Sequence, residues 1–428
     1  MASRVASAAA VALLLALGTA PDVLGQPRAS DDLIRYYQAR ISRRSGDVRA
    51  YARLGQAYIL KARETGDPQY YDLADQALGR CLGLSPDPGT ATRATTDLAV
   101  VRMARHQFRE ALATARKALA YGSGDLNPYG PIGDAHIELG EYDRAEAAYE
   151  KMRSLQGAFY PHSRLATLKF LKGDPAGAIA EMRLAAEAGI WGNQPKENVA
   201  WARSMLGGIL FQTGDLTAAA QAHEDALATY PGYHRALAGL AQVRAAQGRY
   251  PEAVELYRKA IGVIPLPDYA ASLGDVYARI GRADEARKQY DLVEYIGLLN
   301  TFNKVLYNRE LALFYLDHDR KPVEALDLAR KELEVRADLY THDVLAWALY
   351  KNGKPGEALP HVAEALRLGT KDARLLFHAG MIHRAAGDAE KARVHLQRAL
   401  EINAHFHLLQ AEVAQRTLRD LGGPASRP

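Results

Sequence analysis

Residues 274–290 read GDVYARIGRADEARKQY, and residues 133–149 read GDAHIELGEYDRAEAAY. The two segments lie far apart in the chain, yet their glycines, one alanine and the final tyrosine keep the same offsets. A shared skeleton of this kind indicates an internal repeat, and the period of a repeat indicates its architecture. The alanine of the skeleton, Ala286 in the first segment, serves below as the reference position of the repeat.

The reference alanine recurs along most of the chain at intervals of 33 to 41 residues. Its ten copies are Ala74, Ala111, Ala145, Ala178, Ala219, Ala253, Ala286, Ala325, Ala358 and Ala392. A glycine stands five residues before seven of these alanines. Periods near this length are typical of arrays in which each copy is a helix–turn–helix unit. The sequence therefore predicts about ten helical pairs.

The spacing of apolar residues within one copy predicts its two helices. Tyr269, Leu273 and Tyr277 recur every four residues, which is the spacing of one face of a helix. Gly281 follows them and predicts the end of this first helix, because glycine takes the left-handed cap at little cost. Tyr290 belongs to the second helix, where we expect its ring to fill the space between one pair and the next.

Small residues stand where the two helices of a copy are expected to cross. Gly274 lies in the first helix and Ala286 in the second. A longer side chain at either position would push the two backbones apart, because protein interiors are close-packed. We therefore expect Ala286 to be buried and its neighbour Arg287 to face solvent.

The pattern of Leu, Gly, Tyr, Ala, an aromatic residue, Ala and Pro resembles the tetratricopeptide repeat family. The resemblance covers residues 47–404 and implies an all-α fold, a right-handed superhelical α-solenoid of about ten helical pairs. One pair cannot bury both of its apolar faces, whereas stacked copies share a continuous core. Stretches such as YNRELALFYLDHDRKPVEAL and DVLAWALYKNGKPGEAL also resemble exported bacterial members of the family, a resemblance that implies no particular activity.

The N-terminus has the features of a secretory signal peptide. Arg4 supplies a positive charge, residues 5–17 are mostly apolar, and Val23 and Gly25 suit the −3 and −1 positions of a cleavage site. The apolar stretch is shorter than the roughly 20 residues of a membrane span. We predict cleavage after Gly25 and therefore a periplasmic or secreted protein. The alternatives are a buried N-terminal helix and an uncleaved anchor.

The remaining segments flank the array. Residues 26–46 are predicted to form an N-terminal capping helix, residues 405–421 a C-terminal capping helix, and residues 422–428 a disordered tail. Three stretches exceed the repeat length, and they lie near residues 61–70, 189–198 and 298–308. Insertions in solenoids map to loops or lengthened helices, often on a functional face, and the alternative is tolerated surface variation.

Composition excludes several classes of function. The chain has 428 residues and a formal charge of only +4, without a long basic run, so nucleic acid is not an expected partner. Cys81 is the only cysteine, which excludes an internal disulfide and suggests a small buried core residue. No HExxH, P-loop, GxSxG or CxxC motif is present, and the histidines are dispersed. The sequence thus predicts neither an enzyme nor a metal site nor a cofactor.

The family resemblance also implies where a partner binds, because the first helix of each pair lines the inner groove of such arrays. Exposed aromatic rings beside polar groups suit a peptide segment or a sugar chain. We expect these rings to have one face in water; packing against the next repeat is the alternative. Carried over residue by residue, the predicted groove residues are Tyr340, Asp343, Trp347, Tyr350, Arg374, Trp201 and Phe211.

These expectations favour a non-catalytic scaffold that acts outside the cytoplasm and holds a protein partner in its concave groove. The alternative is a module of an envelope complex for polysaccharide export or modification, since a polysaccharide could also lie on aromatic rings. The family's chaperone-binding subset uses a fixed set of Lys and Asn residues. The asparagines of that set are missing from this sequence, so that reading is rejected.

Overall fold

The computed structural model describes residues 29–154, 159–302 and 308–422. Every regular element in these three ranges is an α-helix, which confirms the all-α prediction. The predicted signal peptide and residues 423–428 of the predicted tail lie outside the described residues. The helices are α1 Ala29–Arg43, α2 Val48–Thr65, α3 Gln69–Gly83, α4 Pro88–Ala104, α5 Phe108–Leu119, α6 Tyr129–Glu138, α7 Tyr142–Met152, α8 Phe159–Leu171, α9 Pro175–Trp191, α10 Lys196–Gln212, α11 Leu216–Thr229, α12 His234–Ala246, α13 Tyr250–Val263, α14 Pro267–Arg279, α15 Ala283–Phe302, α16 Asn308–Asp317, α17 Pro322–Val335, α18 Leu339–Lys351, α19 Pro355–Leu366, α20 Ala373–Ala385, α21 Ala389–Ile402 and α22 Gln410–Asp420.

Helices α2 to α21 form ten successive pairs, and each pair holds one of the ten reference alanines. We number the pairs 1 to 10 and call the first helix of a pair its A helix and the second its B helix. The A helices of neighbouring pairs contact each other, except those of pairs 4 and 5, whereas no comparable contact joins successive B helices in the described chain. The stack therefore curves with its A helices on the concave side, as an α-solenoid does.

Pair 7 shows why the skeleton residues recur. A Cβ on Gly274 would lie 2.4 Å from Cε1 of Tyr290, so only glycine leaves room for the ring. The Tyr290 hydroxyl donates a hydrogen bond to Oδ1 of Asp275 over 2.9 Å. Pair 3 repeats the arrangement, since the Tyr149 hydroxyl donates to Oδ1 of Asp134 over 2.9 Å. The skeleton thus encodes a contact between the two helices of one pair.

The reference alanines are buried as expected. Ala286 is 3% exposed, while the side chain of Arg287 is 67% exposed, so the predicted register of α15 is confirmed. Cys81 is fully buried among apolar side chains of pairs 1 and 2. That burial raises the pKa of the Cys81 thiol to about 11, which keeps it protonated at neutral pH.

The three long stretches lengthen helices. The first extends α2 to Thr65, and the second extends α9 to Trp191 and adds a short connection to α10. The third extends α15 to Phe302, and residues 303–307 after it lie outside the described residues. Within the described ranges, no helix has both the length and the apolar character needed to cross a membrane.

The end of the array differs from the predicted capping helix over residues 405–421. Helix α22 begins at Gln410, and residues 404–409 form turns. The backbone N–H groups of Leu409 and Gln410 donate to Nδ1 of His407 over 3.2 and 3.3 Å. Asn403 also holds this stretch, because its Nδ2 donates to the carbonyl oxygen of Phe211 over 2.7 Å. These bonds favour a bent connection over a continuous helix.

The solenoid coils back on itself, so that pairs 1–5 contact pairs 6–10. The Ala337 N–H donates to the carbonyl oxygen of Glu138 over 2.9 Å, and the Leu339 N–H donates to the Tyr142 hydroxyl over 2.8 Å. We call the contact surface between the two halves of the array the seam. Asn403 lies at one end of it.

Apolar and charged side chains also meet at the seam. Tyr142, Leu165 and Leu168 of pairs 3 and 4 form one buried cluster with Leu339 and Leu375 of pairs 9 and 10. The two halves therefore share part of their core, in addition to their backbone hydrogen bonds.

A buried arginine links the halves as well. Arg336, which is 4% exposed, lies with its Nε 3.0 Å from Oε2 of Glu138 and 3.3 Å from Oε1 of Glu332. Burial raises the pKa of the Glu138 carboxyl, and the positive charge of Arg336 opposes that shift. Because two carboxylates and one guanidinium are withdrawn from water here, removal of Arg336 would leave uncompensated buried charge.

The first two insertions meet each other at the seam. Arg63, in the extension of α2, forms an ion pair with Glu197 and donates to Oδ1 of Asn198 over 3.1 Å, both at the start of α10. The extra turn of α2 is therefore long enough to bridge pair 1 to pair 5. These two insertions have a structural role in closing the coil.

Candidate binding site on the concave face

Five of the predicted groove residues lie together on the concave side. Tyr340, Asp343, Trp347 and Tyr350 share one side of α18, and Arg374 lies in the first turn of α20. The rings of Trp347 and Tyr350 stack with their centroids 4.8 Å apart. Because these residues come from the A helices of pairs 9 and 10, the structure brings them into one stripe.

The expectation that the Trp347 ring has one face in water is wrong. Trp347 is 3% exposed, because its ring lies between Tyr350 and His378, whose centroid is 4.3 Å away. Its Nε1 donates to Oδ1 of Asp317 over 3.0 Å. The same carboxylate oxygen accepts a hydrogen bond from Nε2 of Gln410 over 2.7 Å. Gln410 of the C-terminal segment and Trp347 therefore share one acceptor, Asp317, behind the stripe.

Asp343 is also buried, and its partner is His378. Nδ1 of His378 lies 2.9 Å from Oδ2 of Asp343, and His378 has no exposed surface. His378 Nε2 faces Asp317 at 3.9 Å and has no hydrogen-bond partner in the described structure. This set of buried polar groups holds α16, α18 and α20 together, and a partner could not reach it directly.

The other two predicted groove residues lie elsewhere. Trp201 is half-buried and packs edge-on against Phe159, with ring centroids 6.3 Å apart. Phe211 is 4% exposed and belongs to a cluster formed by pairs 5 and 6. The structure therefore does not bring Trp201 and Phe211 together with the stripe on α18.

Charged residues line the narrow interior of the coil. Asp268 in the first turn of α14 is exposed, yet the surrounding protein raises the pKa of its carboxyl to about 6. Glu310 also raises this pKa, whereas Arg374, Arg309 and Arg235 lower it. Since these residues come from pairs 6, 7, 8 and 10, their charges converge from several sides of a water-accessible interior.

Only one of these arginines is paired with a carboxylate across two A helices. Arg309 donates from Nη1 to Oδ2 of Asp338 over 2.8 Å. Arg235 and Arg374 make no ion pair within the residues that the structure describes. Their guanidinium groups are therefore available to a group that enters the interior of the coil.

The concave face also contains a cavity of about 410 Å³ between the A helices of pairs 6 and 7 and the C-terminal segment. Phe211, Tyr257 and Leu408 give it apolar walls, while Gln242 and His405 are exposed at its surface. We call it the groove cavity. It is lined by Phe211, Gln242, Ala245, Ala246, Gln247, Gly248, Tyr250, Tyr257, Ser272, Asp275, Val276, Arg279, Ala404, His405, His407, Leu408, Ala411, Glu412 and Gln415.

Charges of both signs border the groove cavity. Nη2 of Arg279 lies 2.5 Å from Oε1 of Glu412, and this pair is largely exposed. Asp275 accepts from His318, whose Nε2 is 2.7 Å from Oδ1. Although burial opposes the shift, the hydrogen bond that His318 donates to Asp275 raises the pKa of His318. On the other side, burial lowers the pKa of His407, whose Nε2 is 3.8 Å from Asp275.

Sequence reasoning identified only part of this cavity. Gln242 and Asp275 stand at repeat positions that face the groove, so the repeat pattern could indicate them. His405, His407 and Glu412 come from the segment predicted to be a plain capping helix. No sequence signal places that segment against α12 and α14, because the contact depends on how far the coil turns over ten pairs.

Comparison with known proteins gives matches in three parts of the chain. Residues 128–152, 210–274 and 344–405 each match a family model described as a tetratricopeptide repeat. These ranges include the helices of pair 3, the second helix of pair 5, both helices of pair 6, the start of pair 7 and most of pairs 9 and 10. The matched residues are thus distributed along the array.

Individual relatives are distant. The chain is 36% identical over 89 residues to the protein CTR9 homolog of Arabidopsis thaliana, which covers 20% of this chain and 8% of that protein's length. The crystal structure of MamA is 25% identical, covers 40% of this chain and 96% of its own, and superposes with a TM-score of 0.33. Yeast Tom70 is 15% identical, covers 91% of this chain and 92% of its own, and has a TM-score of 0.39.

Proposed function

Since the chain belongs to the tetratricopeptide repeat family, we propose that it is a non-catalytic scaffold that binds a protein partner on its concave face, outside the cytoplasm. Repeat arrays of this kind present extended concave surfaces that serve for binding. The proposal concerns a segment of a partner protein, because the groove cavity has room for only a few side chains.

The groove cavity is the observation that carries this proposal. Its volume of about 410 Å³ falls within the range of roughly 300–1,000 Å³ that is usual for ligand pockets. Such a space accepts a few side chains of an extended segment. Its apolar walls, formed in part by Phe211 and Tyr257, would hold an apolar side chain, and the exposed amide of Gln242 would bind the segment's backbone.

The border charges supply orientation. Arg279 and Glu412 are joined to each other by an exposed ion pair, and such pairs contribute little stability. A partner segment with both an acidic and a basic side chain could therefore break this ion pair at small cost, since its acidic group would bind Arg279 and its basic group would bind Glu412. Arg235 and Arg374, which make no ion pair in the described structure, lie along the interior and add positive charge.

Action outside the cytoplasm rests on the sequence of residues 1–25 alone. Arg4, the apolar stretch and Val23-x-Gly25 have the order of an export signal. The alternative function, a module of an envelope polysaccharide complex, requires sugar stacking on exposed rings. Trp347, the largest ring of the stripe on α18, is 3% exposed and therefore offers no open face to a sugar, so protein binding is the better supported of the two.

The test is a cross-linking pull-down from envelope extract with the mature protein and two tryptophan variants. Gln242→Trp fills the groove cavity, whereas Lys259→Trp adds the same ring to the exposed side of α13. We expect one protein to be captured by the wild type and by Lys259→Trp, and its capture to fall about tenfold or more with Gln242→Trp.

Equal capture by the two variants would rule out the groove cavity as the binding site. Recovery of carbohydrate in place of protein, with the same dependence on Gln242, would favour the polysaccharide alternative. Circular dichroism of both variants, measured beside the wild type, shows whether the fold has changed.

A further inference from the structure

Two histidine rings face each other within pair 9. Nδ1 of His342 lies 3.1 Å from Nδ1 of His361, and the ring centroids are 5.4 Å apart with an interplanar angle of 26°. Both side chains are half-buried, so one side of the ring pair stays open to solvent. Neither residue belongs to the groove cavity or to the interior stripe.

Both rings are held by rigid elements. His342 lies in the first turn of α18, which begins after Asp338 and is capped there, since the Thr341 N–H donates to Oδ1 of Asp338 over 2.7 Å. His361 lies in α19, and the residue beside it, Val362, is buried in the core. A metal site built on two packed helices keeps its ligands in place better than one built on loops.

The separation of the two nitrogens fits two ligands of one metal ion. Zinc binds histidine nitrogen at about 2.0–2.1 Å, and two such bonds that meet at about 100° place the nitrogens about 3.1 Å apart. The observed Nδ1–Nδ1 distance has this value. Without metal it is the distance of a hydrogen bond between the rings, so the metal would take the place of the shared proton, and the donor ring would keep its N–H at Nε2. A small outward relaxation of either ring would give the tetrahedral angle.

The protonation of both rings also suits a metal. Both rings are half-buried, which favours the neutral imidazole that a metal needs as a ligand. Glu364, Asp338 and Arg367 are the charged groups that face the pair.

The remaining coordination positions would be filled by water or by Glu364. Glu364 stands one helical turn after His361, and its Oε2 now lies 3.1 Å from Nε of Arg367 in an ion pair. Among the described residues, no group of three or more His, Cys, Asp or Glu side chains is already arranged for a metal. A site with two protein ligands therefore needs waters, or a rotation of the exposed Glu364 side chain.

We propose that His342 and His361 form a binding site for a divalent transition-metal ion such as zinc. The ion would link α18 to α19. Pair 9 also contributes Leu339 to the seam, so a clamp on this pair would stabilise the wall on which the other half of the array packs. This proposal does not depend on the function proposed for the groove cavity.

A second histidine pair serves as an internal control. His383 and His395 of pair 10 stack with ring centroids 5.3 Å apart and an interplanar angle of 16°. Nδ1 of His383 is buried without a hydrogen-bond partner and faces Asp388 at 3.9 Å. The two histidine pairs are thus similar in ring stacking. Among the described residues, two ring nitrogens approach within hydrogen-bond distance only in His342 and His361.

The experiment titrates zinc chloride, in a buffer free of chelators, into the full chain without a polyhistidine tag. Calorimetry measures binding, and the visible absorption of bound cobalt(II) reports the coordination geometry. We expect one zinc ion per chain and a higher melting temperature with zinc. His342→Ala and His361→Ala should each weaken zinc binding by about tenfold or more, while His383→Ala should leave it unchanged.

Absence of zinc binding to the wild type at 100 times the protein concentration would overturn the proposal, and so would equal loss with His383→Ala. If His342→Ala unfolds the chain, Glu364→Gln provides a second measurement at an exposed position. Weakened zinc binding by Glu364→Gln, in a chain with unchanged helicity, would support the site. Unchanged zinc binding by folded His361→Gln would contradict it.

Discussion

Asn403 donates a hydrogen bond from its side-chain Nδ2 to the backbone carbonyl oxygen of Phe211 over 2.7 Å. The first residue lies directly after pair 10 and the second near the end of the A helix of pair 5. Both are buried, so the bond is shielded from water. It closes the seam at its C-terminal end and makes the last pair depend on the middle of the array.

Substitution of a glycine at the seam should lower stability more than the same substitution at a repeat position that contacts no other pair. Gly173 and Gly281 occupy the same repeat position with φ of +74° and +76°, so alanine costs about 1–2 kcal/mol of conformational energy at both. A Cβ on Gly173 would lie 2.2 Å from the carbonyl oxygen of Gly369, whereas nothing lies within 4 Å of one on Gly281.

We therefore expect Gly173→Ala to lose about 1–3 kcal/mol more unfolding free energy than Gly281→Ala. Chemical denaturation of both variants measures the difference. Equal losses would mean that the two halves of the array do not touch in solution.

Trp347→Ala should destabilise the protein by about 3–5 kcal/mol, the usual cost of removing a buried aromatic ring. The change also leaves Oδ1 of Asp317 without the hydrogen bond from the indole. Trp191→Ala is the matched control, since this tryptophan is 88% exposed and its loss should change stability by less than about 0.5 kcal/mol. Similar melting temperatures for the two variants would contradict the burial of Trp347. The binding role expected for Trp347 stays a prediction.

Ala286→Leu should destabilise the protein by about 1–3 kcal/mol, because added volume at the crossing of α14 and α15 has no space to occupy. Arg287→Leu, one residue along, should have a much smaller effect, since that side chain faces solvent and its ion pair with Asp284 is exposed. Thermal unfolding compares the two. A result in which Arg287→Leu is as damaging as Ala286→Leu would show that the helical register is wrong.

Stability should fall as the pH is lowered below about 6.5, in part because of His223. This residue is 3% exposed, and burial lowers its pKa to about 4. The unfolded chain binds a proton near pH 6.5 while the folded chain does not, so the stability present above pH 6.5 is lost as the pH falls towards 4. His223→Leu should reduce the slope of unfolding free energy against pH by about 1.4 kcal/mol per pH unit near pH 5. An unchanged slope would show that His223 is already protonated or exposed.

The mature protein should begin at Gln26. Expression of the full sequence in a bacterium, followed by fractionation and N-terminal sequencing, measures both the cleavage site and the compartment. A full-length product that stays in the cytoplasm would contradict the export prediction. Arg4→Glu should slow processing, because the positive charge before the apolar stretch is a feature of export signals.

Local parts of the fold could be predicted from the sequence, because they depend on contacts within one pair. The burial of Ala286 follows from spacing alone, and so does the position of Tyr290 against the next pair, where its ring centroid lies 5.7 Å from that of Phe314. The packing of Tyr290 on Gly274 within pair 7 was not predicted. Gly140 and Gly281 show where this reasoning stops. They stand at the same repeat position with φ of +73° and +76°, yet only Gly140 would place a Cβ 2.4 Å from Ala337. Which copies meet depends on the rotation accumulated over many pairs, and no single repeat encodes it.

The candidate site was harder to predict for the same reason. Trp347 has the residue type and the repeat position of a groove residue, but the rings of Tyr350 and His378 stack on it and bury it. The groove cavity needs His405 and His407, which reach it only because residues 404–409 bend. A pattern that compares each copy with its neighbour contains no information on such distant contacts.

The seam also determines how the chain should respond to force. An open solenoid pulled by its ends extends like a soft spring, because each copy contacts only its neighbours. Here the bonds from Ala337 to Glu138 and from Asn403 to Phe211 tie the coils to each other. We expect almost no extension at low load, then one abrupt yielding event when the coils part, followed by stepwise loss of single pairs. The closed coil would thus resist extension up to a threshold force and extend easily above it.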